Sequence, residues 1–143
     1  MRLDDRKLSV FMRLAADLAG LSHCRRKKVG AVVVPADMSA VLAIGYNGPP
    51  SGRPNGSCRG GEGACGCIHA EANALVKLEA GGRGGLVLLT TLSPCEHCAG
   101  LIVNSKKIGS VVYAEAYRDA AGLEVLREAK IETAQALPGP SGC

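Results

Sequence analysis

Residues 86–120, LVLLTTLSPCEHCAGLIVNSKKIGSVVYAEAYRDA, decide the fold. Residues 86–90 are an apolar run of four closed by Thr90, the pattern of a strand buried on both faces. Pro94 is well placed in a first helical turn, so a helix is expected from there to about residue 104. Residues 111–113 read as the next strand. Working outward, a helix over 119–129 and a short strand over 131–134 follow, and the tail LPGPSGC (137–143) is expected to be loose. Upstream, 69–79 favour helix, stopped by Gly81 and Gly82. Residues 29–34 and 41–44 are short β-branched runs with a brief connector, hence a hairpin. Leu8, Phe11, Met12, Ala15, Leu18 and Ala19 recur at helical spacing, with Asp4 or Asp5 as cap and Gly20 as stop, giving a helix over 5–19. The order α-β-β-α-β-α-β-α-β predicts an α/β fold: one domain over 1–143 with a mixed, partly parallel sheet and helices on both faces.

Composition narrows the function classes. The chain of 143 residues is 47% hydrophobic and 21% charged, which excludes a disordered or low-complexity chain. No apolar run is long enough to span a membrane, and the N-terminal stretch, with its early acids, does not read as a signal peptide, so a cytoplasmic protein is expected. The net charge of +4 suits an anionic ligand but not a nucleic-acid coat, and 3% aromatic residues leave little for base stacking. No stable nucleic-acid or membrane partner is therefore expected.

Seven cysteines, at 24, 58, 65, 67, 95, 98 and 143, need another explanation than disulfides in a reducing compartment. His69-Ala70-Glu71 opens one helix and Pro94-Cys95-Glu96-His97-Cys98 opens the next. His69, Cys95 and Cys98 supply three ligands suited to Zn²⁺, leaving a fourth tetrahedral position for water, as catalytic zinc requires. Cys95 and Cys98, three apart on a first turn, face one ion, and the helix N-terminus favours their thiolate form. Glu71, two residues from a ligand, can take a proton from that water and pass it on. H-x-E followed by P-C-x-x-C is a known signature of zinc nucleobase deaminases.

With GYNGPPSG (45–52), IHAEANAL (68–75), SPCEHCAGLIVN (93–104), VVYAEAYRD (111–119) and RRKKVGAVVV (25–34), the chain resembles the deoxycytidylate (dCMP) deaminases of the cytidine deaminase-like superfamily. The resemblance runs over residues 8–134. It implies a three-layer α/β/α sandwich with a five-stranded sheet, zinc on His69, Cys95 and Cys98, and Glu71 as proton shuttle. It further implies hydrolysis of dCMP to dUMP and ammonia, a homo-oligomer (commonly a hexamer), and allosteric control by dCTP and dTTP, with Mg²⁺ accompanying dCTP. The resemblance places Asn47 at the substrate sugar and matches Arg26 to a recurrent arginine, and Ala70, Ser93, Tyr117 and Arg118 are further substrate-side candidates.

Other readings of these residues stand beside that one. Asn47 in Tyr-Asn-Gly suits a left-handed turn as well as a sugar contact. Ser93 serves either as a helix cap or as a backbone contact to the base. The run Arg25-Arg26-Lys27-Lys28 is either a solvated face or a phosphate site. Tyr117 and Arg118 lie at the carboxyl end of a strand, where open α/β sheets gather ligands. Cys24, Cys58, Cys65 and Cys67 flank or lie in the Gly/Pro-rich loop 47–67. They are either isolated buried thiols or a closed Cys₄ structural zinc, with His97 as a substitute ligand, while Cys143 is idle. The expected activity is deamination of dCMP, with a 5-modified dCMP as the alternative substrate of the same reaction. Its rivals are a cytidine or deoxycytidine deaminase, a tRNA adenosine-type polynucleotide deaminase, and a non-catalytic zinc module binding nucleic acid.

Overall fold

The computed structural model describes residues 1–61, 65–79 and 84–136. Its elements are α1 (Asp5–Ala19), β1 (Gly30–Pro35), β2 (Ala43–Tyr46), α2 (Ala70–Lys77), β3 (Leu86–Leu92), α3 (Glu96–Ser105), β4 (Ile108–Glu115), α4 (Ala121–Glu128) and β5 (Glu132–Gln135). This is the predicted order, with one extra 3₁₀ turn at Asn55–Ser57. The glycines expected to stop α2, the loose tail and Cys143 lie outside the described residues.

The sheet runs β2-β1-β3-β4-β5. β1 is antiparallel to both β2 and β3, while β3, β4 and β5 are parallel, which is the predicted mixed sheet. β4 is much longer than the expected 111–113. Gly109 and Ser110 interrupt its apolar run, yet pairing with β3 carries the strand from Leu86↔Ile108 to Leu92↔Glu115.

Side-chain alternation sorts the core into two layers. Ala31, Val33, Leu88 and Val111 point to one face, where α2, α3 and α4 cover them with Ala74, Ile102 and Leu126. Val32, Val34, Val87, Leu89 and Val112 point to the other, covered by α1 through Ala15 and Leu18. Each such aliphatic side chain contributes about 1.5–3 kcal/mol on full burial. α1 keeps its start because the Asp4 carboxylate accepts the N–H groups of Arg6 and Lys7 at 2.9 and 3.1 Å.

Two glycines seat the segments that carry the H-A-E and P-C-x-x-C motifs. A methyl group on Gly45 of β2 would overlap the carbonyl oxygen of Ala70, and one on Gly122 of α4 would overlap that of Pro94. The backbone next to His69 and Cys95 therefore rests directly on a neighbouring element. Gly122→Ala is expected to destabilise the chain by about 1–3 kcal/mol, as overpacking does. Because Cys95 must shift with Pro94, zinc affinity should fall as well. Thermal unfolding together with competitive zinc titration checks this, and unchanged zinc affinity would show that Cys95 keeps its place.

Candidate metal centre and substrate pocket

β3 and β4 are parallel neighbours, so the segments leaving their carboxyl ends emerge side by side. These are 93–95 and 116–118, and α2 brings His69 to the same edge. His69 is the N-terminal cap position of α2, but its ring makes no capping hydrogen bond and is free to turn toward the cysteines. Its Nδ1 lies 3.5 Å from Cys95 Sγ and 3.4 Å from Cys98 Sγ. A tetrahedral ion with Zn–S of about 2.3 Å and Zn–N of about 2.0–2.1 Å would hold N and S about 3.6 Å apart. The donor set thus fits zinc in both chemistry and spacing. Cys95 caps α3, its Sγ accepting the Cys98 N–H at 3.5 Å, so the helix start itself holds two of the three donors.

One thiol is poised as thiolate, while its two partners hold protons that a bound metal would displace. The Cys98 thiol, and then His69, hydrogen-bond to Cys95 and hold it down at about 3. The Cys95 thiolate in turn pushes Cys98 up, and its hydrogen bond raises His69. Glu71 is only 4% exposed. Burial is the main cause that pushes its carboxyl up to about 7, close to the neutral pH at which a general acid–base group works best.

His69, Glu71 and Cys95 line a cavity of about 350 Å³. The substrate-side candidates Asn47, Ala70, Ser93, Tyr117, Arg118 and Arg26 all line it too. Arg26 Nη2 donates to the Tyr117 hydroxyl at 3.0 Å, and the Arg118 guanidinium carbon sits 5.7 Å from the centre of the Tyr117 ring.

The sequence pattern of the family described as cytidine and deoxycytidylate deaminase zinc-binding region matches residues 5–115. This chain belongs to that family. Relatives of the zinc-binding deaminase region include a deoxycytidylate deaminase of Saccharomyces cerevisiae (strain ATCC 204508 / S288c), 39% identical over 142 residues and 89% of this chain. Another, of Mycobacterium phage D29, is 38% identical over 118 residues, 72% of this chain and 90% of its own length. The chain spans 44% of the length of each yeast relative it matches. Among solved structures, the dCMP deaminase of cyanophage S-TIM5 in complex with dCMP and dUMP superposes with a TM-score of 0.82 at 33% identity. That match covers 94% of this chain and 99% of the other. The cytidine deaminase-like α/β fold expected from the sequence is the fold observed.

Within this deaminase fold, several local readings change. Asn47 is not a left-handed turn residue: among the described non-glycine residues only Met38, Lys106 and Lys130 have positive φ. Gly48 instead pairs with Ile68, so the chain continues extended. The Asn47 side chain accepts the Val29 N–H at 2.8 Å and donates to the Lys27 carbonyl, clasping the entry to β1. Ser93 does not cap α3, a place Cys95 takes. Its Oγ accepts the Tyr117 N–H at 2.7 Å, fixing one pocket segment on the other. The basic run divides. Arg26 and Lys27 line the cavity, and Lys27 pairs with Glu115 at 3.2 Å. Arg25 instead offers its backbone N–H to Cys58 Sγ at 3.3 Å. Glu115 and Ser22 went unmarked in the sequence. Ser22 Oγ donates to the Asn47 carbonyl at 2.6 Å and accepts the Cys24 N–H, a role no motif reveals.

Cys24, Cys58, Cys65 and Cys67 converge, their sulfurs all within 4.8 Å of one another. Cys24 and Cys58 stand 3.9 Å apart, against about 3.8 Å for two thiolates on a tetrahedral zinc at about 2.3 Å each. His97 is not among these donors. It is exposed on α3, one residue before Cys98, and one residue is about 100° around a helix, which turns it from the cysteine face. The described cysteines carry no disulfide, and no described helix is long and apolar enough to cross a membrane.

Proposed function

We propose that this chain hydrolyses dCMP to dUMP and ammonia, using zinc held by His69, Cys95 and Cys98. The observation that carries the reading is a buried carboxyl, Glu71, beside a three-donor zinc set of which His69 and Cys95 line one cavity with Arg26 and Tyr117. Bound there, zinc supplies a nucleophilic water at neutral pH, because it lowers the pKa of water to about 7. Glu71 takes the proton released as that water adds to C4 of the ring, and delivers it to N3. It then takes the proton of the new C4 hydroxyl and passes it to the departing amino nitrogen, so that the C4 carbonyl forms, ammonia leaves and the carboxylate is restored. Asn47, Ala70 and Ser93 frame the nucleoside, and Arg26, Tyr117 and Arg118 receive the 5′-phosphate.

Ammonia release from cytosine, deoxycytidine, CMP, dCMP, its 5-methyl and 5-hydroxymethyl forms, and a tRNA tests this reading. Turnover should be fastest on deoxynucleoside monophosphates. Preference for the free nucleoside, or turnover of the tRNA alone, would replace it with one of the rival deaminases. No turnover on any substrate would favour a non-catalytic zinc module.

The four converging thiols support a second, structural zinc, closed by Cys24, Cys58, Cys65 and Cys67. Protein purified without chelator is expected to carry close to two zinc ions, and Cys58→Ser close to one. A wild-type ratio of one that Cys58→Ser leaves unchanged would reduce the cluster to ordinary thiols. The reading also includes a homo-oligomer, expected to sediment as a hexamer, in the cytoplasm, and regulation by dCTP with Mg²⁺.

A further inference from the structure

We propose that metal bound by the four cysteines sets recognition of the substrate's 5′-phosphate, acting through Arg26 as a positioning centre. The inference rests on the dCMP reading and adds a route by which the second metal reaches the substrate. Residues 21–29 belong to no helix or strand, so no hydrogen-bond ladder fixes Arg26. Asn47 clasps Lys27 and Val29 downstream of it, and two more anchors reach Arg26 itself and the residues before it. One is the Tyr117 hydroxyl, which accepts from Arg26 Nη2 at 3.0 Å and belongs to a residue itself tied to Ser93. The other is the cysteine cluster: Cys24 lies two residues before Arg26, and the adjoining Arg25 N–H points to Cys58 Sγ.

Cys24, Cys58 and Cys65 form a small buried cluster of their own, with Cys67 packed against it, separate from the aliphatic layers of the sheet. A metal joining four thiolates would lock residue 24 to the loop at 58 and to the segment 65–67, which leads into His69. Cys24, Cys65 and Cys67 also line the cavity, whereas Cys58 does not. Cys58 is therefore the ligand whose loss disturbs the metal without opening the pocket wall.

The ligand is a thiophilic divalent ion, and zinc is the probe. Binding of dUMP and of deoxyuridine is measured by calorimetry on the wild type, Cys58→Ser and Cys58→His, with zinc content determined on each and dCMP and deoxycytidine kinetics run in parallel. Cys58→Ser should lose one zinc and weaken dUMP binding by about tenfold or more, the effect of misplacing one charge-assisted hydrogen bond. Deoxyuridine binding should change far less, and Cys58→His should restore both the metal and the dUMP preference. Equal weakening of dUMP and deoxyuridine would make the cluster merely structural and overturn the proposal. So would an undiminished dUMP preference after the metal is lost, or a wild-type cluster that binds no zinc. If Cys58→Ser fails to fold, wild-type protein holding one zinc and then reloaded to two gives the same comparison. Absent dCMP turnover in the wild type would count against the dCMP reading alone, since the binding difference is measured without turnover.

Discussion

Glu71→Ala is expected to keep its zinc and lose nearly all turnover on dCMP. The carboxyl is not needed as a ligand, because His69, Cys95 and Cys98 already present donors at zinc spacing. What disappears is the only buried carboxyl among the described residues. Loss of a positioned general acid–base group typically lowers rate by about 10²–10⁴-fold, or roughly 3–5 kcal/mol of barrier. Glu71→Gln should behave alike, since it keeps the shape but cannot shuttle protons. Metal analysis beside steady-state kinetics separates the outcomes: an active Glu71→Ala enzyme removes the mechanism, and a zinc-free one makes Glu71 a ligand.

The second large effect concerns the phosphate. We expect dCMP to be preferred over deoxycytidine by at least about 10³-fold in kcat/KM. One or two guanidinium groups on a phosphate contribute charge-assisted hydrogen bonds of about 1.5–3 kcal/mol each, and two of these span that factor. Arg26 is held toward the cavity by Tyr117, and Arg118 lies over the ring of the same tyrosine. Binding energy from so remote a group also helps seat the ring over the metal, so its loss should lower kcat as well as raise KM. Kinetics on dCMP, deoxycytidine and CMP with Arg26→Ala and Arg118→Ala check this. Comparable rates on deoxycytidine would make the enzyme a nucleoside deaminase, and a preference surviving both substitutions would move the phosphate site elsewhere.

The parts of this molecule legible in its sequence are those in which local chemistry and tertiary structure agree. The α1 boundaries follow from Asp4, Gly20 and an apolar stripe that packs as its spacing demands. The grouping of His69, Cys95 and Cys98 was legible because all three sit at helix starts, and the three-residue spacing of Cys95 and Cys98 gives those two a common face. The polar tethers were not. For Asn47 the sequence offers a turn beside a substrate contact, and pairing of Gly48 with Ile68 sets the turn aside. Ser93 looked like a cap because it precedes a helix, whereas its partner is Tyr117, 24 residues away. Ser22, Glu115 and the path from Arg25 to Cys58 depend on long-range contacts that carry no local signature. Four cysteines announced a cluster by number alone, and only the folded chain excludes His97 from it.

The most direct test is to follow dCMP with the zinc-loaded protein, measuring dUMP and ammonia together. The account predicts catalytic formation of both in equal amounts, abolished when zinc is stripped and restored when it is returned. Protein with its zinc in place and Glu71 intact that leaves dCMP unchanged would contradict it.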